Sequence, residues 1–398
     1  MPSISKKGIQ MPESPIRKLA PYAERAVDDG KQIFHLNIGQ PDIKTPRLAL
    51  NAIRNHSLEV LSYSESSGFK SFRDKIASYY KTLDVDVISD DVIITTGGSE
   101  ALLFVMGCIG DINDEIIIPE PFYANYKSFA IQSNIHIITI TSTINDDFSL
   151  PDIKEFERCI TSKTKAILIC NPGNPTGHLY SREEINQLAQ LAKKYDLFLI
   201  ADEVYRDFVY DDSRHYSVLE LNDMNEHTIV IDSVSKRYSM CGARIGWLIS
   251  RNKTLLATAT KFAQARLSPP TLAQIAAEAA FDTSIADTKE TVAKYKKRRD
   301  TLIQGLEQID GVIVSKPKGA FYCIAELPVD NTEDFTRWLL EHFSVNNQTV
   351  MLAPAAGFYA NEKLGKKQVR IAYVLNRRDL LQSIHILRLG LQAYNKKK

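Results

Sequence analysis

Cysteine is scarce in this chain: five residues, Cys108, Cys159, Cys170, Cys241 and Cys323, are spread over 398 positions. None forms a CxxC pair and no histidine cluster lies beside them, so neither a disulfide framework, a dithiol redox site nor a metal centre is expected. The odd count and wide spacing suit reduced thiols, three of them in apolar segments as small core residues. Charge of one sign is also lacking. Lys plus Arg number 49 and Asp plus Glu 48, which leaves no global field to draw the protein onto nucleic acid or an anionic membrane. The short basic runs Lys296–Arg299 and Lys396–Lys398 read as solvated helix ends. No apolar run approaches the ~18 residues of a membrane span, and the opening MPSISKKGIQMPESPIRKLAPY has no apolar centre of the kind a signal peptide needs, so a cytoplasmic protein is expected. Internal repeats, low-complexity segments and long linkers are missing too. No GxGxxG or GxxxxGKS/T occurs at a strand-to-helix turn, which removes the usual nucleotide-binding readings.

What is present is an ordinary globular composition, 44% hydrophobic and 24% charged. The length exceeds the roughly 250–300 residues at which single cores stop growing, so two domains are expected. From Val92 to Ser250 short β-branched runs alternate with helical patterns, the signature of a mainly parallel sheet covered on both faces. The strand candidates are Val92–Thr96, Glu115–Pro119, Ile135–Ile140, Ala166–Cys170, Leu197–Ala201, Thr228–Asp232 and Ile245–Ile249. Most are continuously apolar, as doubly buried strands should be. The clearest helix is Arg182–Tyr195, which Ser181 and Glu184 open as a capping box. After Ser268-Pro269-Pro270 one long helical stretch is expected to about Leu306. Short strands (Val312–Val314, Phe321–Ala325, Val369–Val374) and helices follow, and the last helix sets Leu380, Ile384, Leu387 and Leu391 on one packing face. The opening, with Pro2, Pro12, Pro15 and Pro21, reads as an ordered arm. The expected class is α/β: a large domain, 48–290, on a mainly parallel seven-stranded sheet flanked by helices, and a smaller α+β domain from 1–47 and 291–398.

In an open α/β sheet, ligands bind beyond the carboxyl ends of the strands, so the residues following each strand carry the chemistry. Val92–Thr96 runs into Gly97-Gly98-Ser99-Glu100 and a helix, where small residues let backbone N–H groups approach a phosphate. A plain tight turn with Ser99 as N-cap fits the same residues. Ala166–Cys170 ends in Asn171-Pro172-Gly173-Asn174-Pro175-Thr176-Gly177, denser in turn residues than one reversal needs, which holds Asn174 rigidly at the sheet edge. Leu197–Ala201 ends in Asp202-Glu203-Val204-Tyr205, a carboxylate and a phenol three residues apart; an aspartate capping the next turn would look alike. Thr228–Asp232 leads to SVSKRYSMCGARIG. A lone loop lysine is ordinarily solvated, but Lys236 lies among hydroxyls and small residues at that same edge.

Together NPGNPTG, ADEVY and SVSKRYSMCGARIG, in that order and spacing, resemble the class I/II aminotransferases of the fold-type-one pyridoxal phosphate enzymes, especially the bacterial aspartate-aminotransferase-like branch. The resemblance runs from LNIGQPD to QVRIAYVLN. It implies that Lys236 is the Schiff-base lysine, which, once freed, shuttles a proton at the substrate's α-carbon. Asp202 matches the carboxylate that pairs with the cofactor's pyridine nitrogen. Tyr205 and Asn174 match the groups that bond its phenolic oxygen, and Tyr123, in PFYANY, the aromatic ring over the pyridine face. Gly98, Ser99, Ser233 and Arg244 match the phosphate cradle. Tyr63 resembles the tyrosine that reaches a phosphate in the neighbouring subunit, which implies a homodimer with a shared active site. Arg370, in QVRIAY, matches the arginine that grips the α-carboxylate bidentately, and Gly39 the backbone that closes over it.

Some members of that branch carry a lysine in the GG turn to receive a second carboxylate; here that position is Ser99. Arg266, in QARLSPP, is the candidate substitute, with a surface role as the alternative. The resemblance thus implies amino transfer between an L-amino acid and a 2-oxo acid, with aspartate or glutamate and 2-oxoglutarate as the expected pair. A C–S lyase or another β-eliminating enzyme of the same fold and cofactor is the alternative. A nicotinamide-dependent oxidoreductase would need the missing glycine fingerprint, and a non-catalytic binding module would not need Lys236 and Asp202 in register.

Overall fold

Seven runs rich in isoleucine, leucine and valine become one sheet, in the spatial order Val92–Thr95, Gly246–Ser250, Thr228–Ser233, Phe198–Asp202, Thr164–Cys170, Glu115–Glu120 and His136–Thr141. The structure, a computed structural model, describes residues 2–396; Lys397 and Lys398, the end of the C-terminal basic run, lie outside the described residues. Six of the strands are parallel, and Gly246–Ser250 runs antiparallel to both its neighbours. Each expected strand of this sheet is present.

Because successive strand residues point to opposite faces, Ile229 and Ile231 join Leu168, Ile200 and Leu248 in one apolar layer, and Val230 joins Ile167, Leu199 and Trp247 in the other. Helices Gly97–Ile109, Asn125–Ser133 and Lys253–Ala265 cover the first face. Lys70–Lys81, Arg182–Lys194 and Thr271–Ala280 cover the second. The helix Arg182–Lys194 opens with the reciprocal cap its sequence suggests: Glu184 N donates to Ser181 Oγ at 3.2 Å, and Ser181 N donates to the Glu184 carboxylate at 2.7 Å.

Three expectations need correction. The long helical stretch after Pro270 is two helices, Thr271–Ala280 and Ile285–Glu307, because Ser284 caps the second by accepting from Asp287 N at 3.2 Å. The basic run Lys296–Arg299 is not a solvated helix end. It lies inside Ile285–Glu307, where Arg299 is 8% exposed and donates to Asp211 and Asp300, and Arg298 donates to Asp42. Two of these carboxylates, Asp42 and Asp211, are remote in sequence. The proline-rich opening is more than an arm: it contains the helix Ala20–Asp28, and Leu19 and Ala23 pack on Leu340 and Met351.

A second core lies under a four-stranded antiparallel sheet, in the order Ala353–Pro354, Gln368–Ala372, Tyr322–Glu326 and Ile313–Val314. A parallel pair, Gln32–His35 with Gln348–Met351, adjoins it. Helices Ile285–Glu307, Thr332–His342 and Arg377–Asn395 pack there through Leu302, Phe335 and Leu387. This core also takes in Tyr205 and Phe208, which follow the strand Phe198–Asp202 of the large sheet. All five cysteines are free, with Cys323 buried and the rest half-buried. No helix among the described residues is long and apolar enough to cross a membrane.

Leu168 is wholly buried, so Leu168→Ala should lower the unfolding free energy by about 2–5 kcal/mol. Ile112→Ala, at a side chain 73% exposed, should change it by less than about 0.5 kcal/mol. Urea unfolding at a fixed protein concentration checks both.

Candidate active site

The carboxyl ends of the parallel strands share one edge of the large sheet, and a cleft of about 580 Å³ opens there. Gly98 and Ser99 enter it after Val92–Thr95, Asn174 after Thr164–Cys170, and Asp202 and Tyr205 from the end of Phe198–Asp202. Ser233 and Lys236 come from the end of Thr228–Ser233, and Arg244 precedes Gly246–Ser250. Tyr123 lines the same cleft, with Arg370 from the smaller sheet and Gly39 from the segment after Gln32–His35.

At one end the helix Gly97–Ile109 begins. Gly97 has φ +77°, and a Cβ there would fall 2.4 Å from Arg244 Nη2, so only glycine allows this turn beside this guanidinium. The N-cap position is Thr96, which makes Ser99 part of the first helical turn and not its cap. The Ser99-cap reading therefore fails: the left-handed backbone at Gly97 makes the turn, and Glu100 accepts from Thr96 N at 2.7 Å. The N–H groups of Gly98 and Ser99 are among those a helix start leaves without an intrahelical partner, at the positive end of its dipole. Ser233 Oγ accepts from Ser235 N at 3.2 Å, and Arg244 Nη1 donates to Cys241 O at 3.1 Å.

In the middle, Asp202 is 5% exposed and accepts from Tyr126 Oη at 2.7 Å. The N–H of Val204 lies 3.4 Å from its other oxygen, too long for a strong cap. Burial pushes the Asp202 carboxyl up to about 6, against the lowering effect of the Tyr126 hydrogen bond. Lys236 belongs to the four-residue helix Val234–Arg237, and its Nζ donates to Gly39 O at 2.8 Å. The next residue, Arg237, is buried and donates to Asp232 at 2.9 Å and to Asp207. Tyr205 and Tyr322 share a hydrogen bond between hydroxyls at 2.9 Å. Tyr123 Oη accepts from Asn125 Nδ2 at 2.8 Å.

At the other end Arg370 is 1% exposed. Its Nη1 donates to Asn174 Oδ1 at 3.0 Å, its Nη2 to Asn37 O, and its Nε has no partner. The Tyr322 and Phe358 rings flank the guanidinium at 4.5 and 5.1 Å. No carboxylate pairs with it among the described residues, so a buried cation is left with neutral acceptors and no counter-charge. Gly39 is tightly placed as well: a Cβ there would fall 1.7 Å from Tyr322 Oη.

Two expected residues lie elsewhere. Tyr63 is 79% exposed and does not line the cleft of its own chain. Arg266 is engaged outside it: Nη2 donates to Ser66 O at 3.0 Å and Ile94 O at 3.2 Å, and the Glu100 carboxylate lies 3.2 Å from Nη1. Sequence reasoning overlooked Tyr126, Tyr322, Asn37 and Arg17. Tyr126 had a signal, since PFYANY carries two tyrosines three apart at a helix start. Tyr322, Asn37 and Arg17 had none, because their partners or cleft neighbours are distant in the chain.

The model of the family described as aminotransferase class I and II matches residues 31–380. The chain is 31% identical to the (5-formylfuran-3-yl)methyl phosphate transaminase of Methanocaldococcus jannaschii, over 93% of this chain and 94% of that one. It is 28% identical to the aspartate aminotransferase of Pyrococcus horikoshii, over 98% and 97%. Among solved structures, the aspartate aminotransferase of Thermotoga maritima is similar with a TM-score of 0.89, at 28% identity, covering 98% of this chain and all of that one.

Asp202 holds its proton more tightly folded than unfolded. Between pH 3.8 and about 6 the folded state therefore binds more protons, and stability falls as pH rises through that window. The unfolding free energy of ligand-free wild type, relative to Asp202→Asn, should drop by up to about 1.4 kcal/mol per pH unit across that window and level off above it. A difference that stays flat in urea titrations over the same range would contradict the shift.

Proposed function

We propose that this chain, which belongs to the class I and II aminotransferases, holds pyridoxal phosphate in the cleft and moves an amino group between an L-amino acid and a 2-oxo acid, with aspartate or glutamate and 2-oxoglutarate as its pair. The observation that supports this most is a single cleft with a guanidinium at each end, Arg244 and Arg370, and a lysine and a buried carboxylate, Lys236 and Asp202, between them. The aspartate aminotransferases among its relatives support the acidic pair.

The residues fit the group. Gly98 and Ser99 at a helix N-terminus, the Ser233 hydroxyl and the Arg244 guanidinium suit a phosphate. When bound, pyridoxal phosphate supplies an electron-accepting ring that acidifies the substrate's α-carbon. Asp202 would keep a negative charge opposite the ring nitrogen and hold a proton there, with Tyr126 fixing the carboxylate. Lys236 Nζ would hold the aldehyde end and, in the reaction, take and return the proton at the α-carbon. Tyr205 and Asn174 would bond the phenolic oxygen, and the Tyr123 ring would cover one face. Arg370 would take the α-carboxylate bidentately, supplying the counter-charge its buried guanidinium lacks, with Gly39 closing over the same group. The exposed Tyr63 suits a residue that reaches the phosphate in a neighbouring subunit, hence a homodimer with a shared site. The reading keeps two domains, 48–290 and 1–47 with 291–398, and puts the cleft between them.

The cofactor-loaded protein should show a visible absorption band that glutamate or aspartate bleaches and 2-oxoglutarate restores, and Lys236→Ala should lose the band. Bleaching only by other amino acids would discard the acidic pair, and no band at all would sink the reading. Asp202→Ala should lower kcat by about 10²–10³-fold, with a smaller loss of cofactor affinity, as checked by steady-state kinetics and cofactor titration.

A further inference from the structure

With the phosphate on Arg244 and the α-carboxylate on Arg370, one cation of the cleft still has no partner. Arg17 lines the cleft and is exposed, and its guanidinium makes no hydrogen bond or ion pair among the described residues. Among the described residues the only carboxylate lining the cleft is Asp202, which the ring nitrogen would occupy.

Arg17 differs from a surface arginine on a loose arm because its backbone is pinned. The N–H groups of Arg17 and Lys18 both donate to Ser14 O at 3.0 Å, and Leu19 is 3% exposed. Pro15 is buried against Gly357, where an added Cβ would come within 2.7 Å of the proline ring. Asn37 Nδ2 donates to Ile16 O at 3.1 Å, and Asn37 O accepts from Arg370 Nη2. Asn37 therefore ties the backbone of the turn that bears Arg17 to the guanidinium that would grip the α-carboxylate. The other arginine candidate, Arg266, is held by Ser66, Ile94 and Glu100 outside the cleft, and the GG turn offers Ser99 and no lysine.

We propose that Arg17 binds a second anionic group, a carboxylate or a phosphate at the far end of the substrate's side chain, and so selects substrates charged at both ends. This rests on the aminotransferase reading of the cleft. A planar guanidinium suits either group, since both accept two parallel N–H bonds. Ser14, on the same turn, and Gln40, next to Gly39, add neutral donors along the cleft.

Calorimetric titration of the cofactor-loaded protein with three amine-free probes tests this: glutarate, 4-phosphonobutyrate and pentanoate, the last carrying a single anionic group. Wild type should bind at least one of the first two about ten-fold or more tightly than pentanoate, a gap of about 1.4 kcal/mol. In Arg17→Gln the gap should close to within about two-fold, and Arg17→Lys should restore part of it. Whichever dianion gains more identifies the second group. A gap that survives in Arg17→Gln, or its absence from wild type, overturns the assignment. If instead the protein takes up no cofactor, or if Arg370→Ala leaves pentanoate binding unchanged, the underlying reading of the cleft has failed and not Arg17 alone.

Discussion

Arg237 is a buried guanidinium held between two carboxylates, and the geometry of the cleft depends on it. Asp232 belongs to the strand Thr228–Ser233, and Asp207 follows the neighbouring strand Phe198–Asp202, so the two ion pairs bind the carboxyl ends of adjacent strands to one side chain. Tyr80 Oη adds a hydrogen bond to Asp232 at 3.1 Å, and the Tyr79 ring stacks on the guanidinium at 4.3 Å. Buried charges persist only when paired and hydrogen-bonded, and removing one partner leaves an uncompensated charge in the core. The helix Val234–Arg237 has only four residues, far too short to hold itself. The clamp at its last residue therefore fixes Lys236, one position earlier, where its amine meets the carbonyl of Gly39.

The same edge explains the electrostatics. Asp232, behind the cleft, and Asp202, within it, are neighbouring buried carboxylates, and each is pushed toward its protonated form by burial. Tyr126 and the Lys236 amine oppose that push at Asp202. Arg370 has the opposite imbalance, a cation with neutral acceptors only. A site that leaves a carboxylate short of cationic partners and an arginine short of anions is arranged for a ligand that carries both signs of charge.

Much of this was legible in the chain. The seven strands of the large sheet are continuously apolar because both faces are covered, and that pattern survives without knowledge of their partners. The residues after those strands were legible for the same reason, since strand ends in such a sheet point to one edge. What stayed hidden depends on contacts between remote segments. Gln32–His35 and Gln348–Met351 are four-residue strands whose pairing spans most of the chain, and neither shows a period of its own. The run Lys296–Arg299 looked solvated because Asp42 and Asp211, which neutralise it, lie far away in sequence. The break before Ile285 was marked by Ser284 with Asp287 three residues on, a cap signal lost beneath the helical pattern around it.

The central claim is that Lys236 carries the cofactor covalently, and borohydride reduction of the holoenzyme, followed by proteolysis and mass spectrometry, tests it most directly. The account predicts a pyridoxyl group on the peptide containing Lys236 and on no other lysine. A label on a different residue, or a reduced protein that releases all its cofactor, would contradict it.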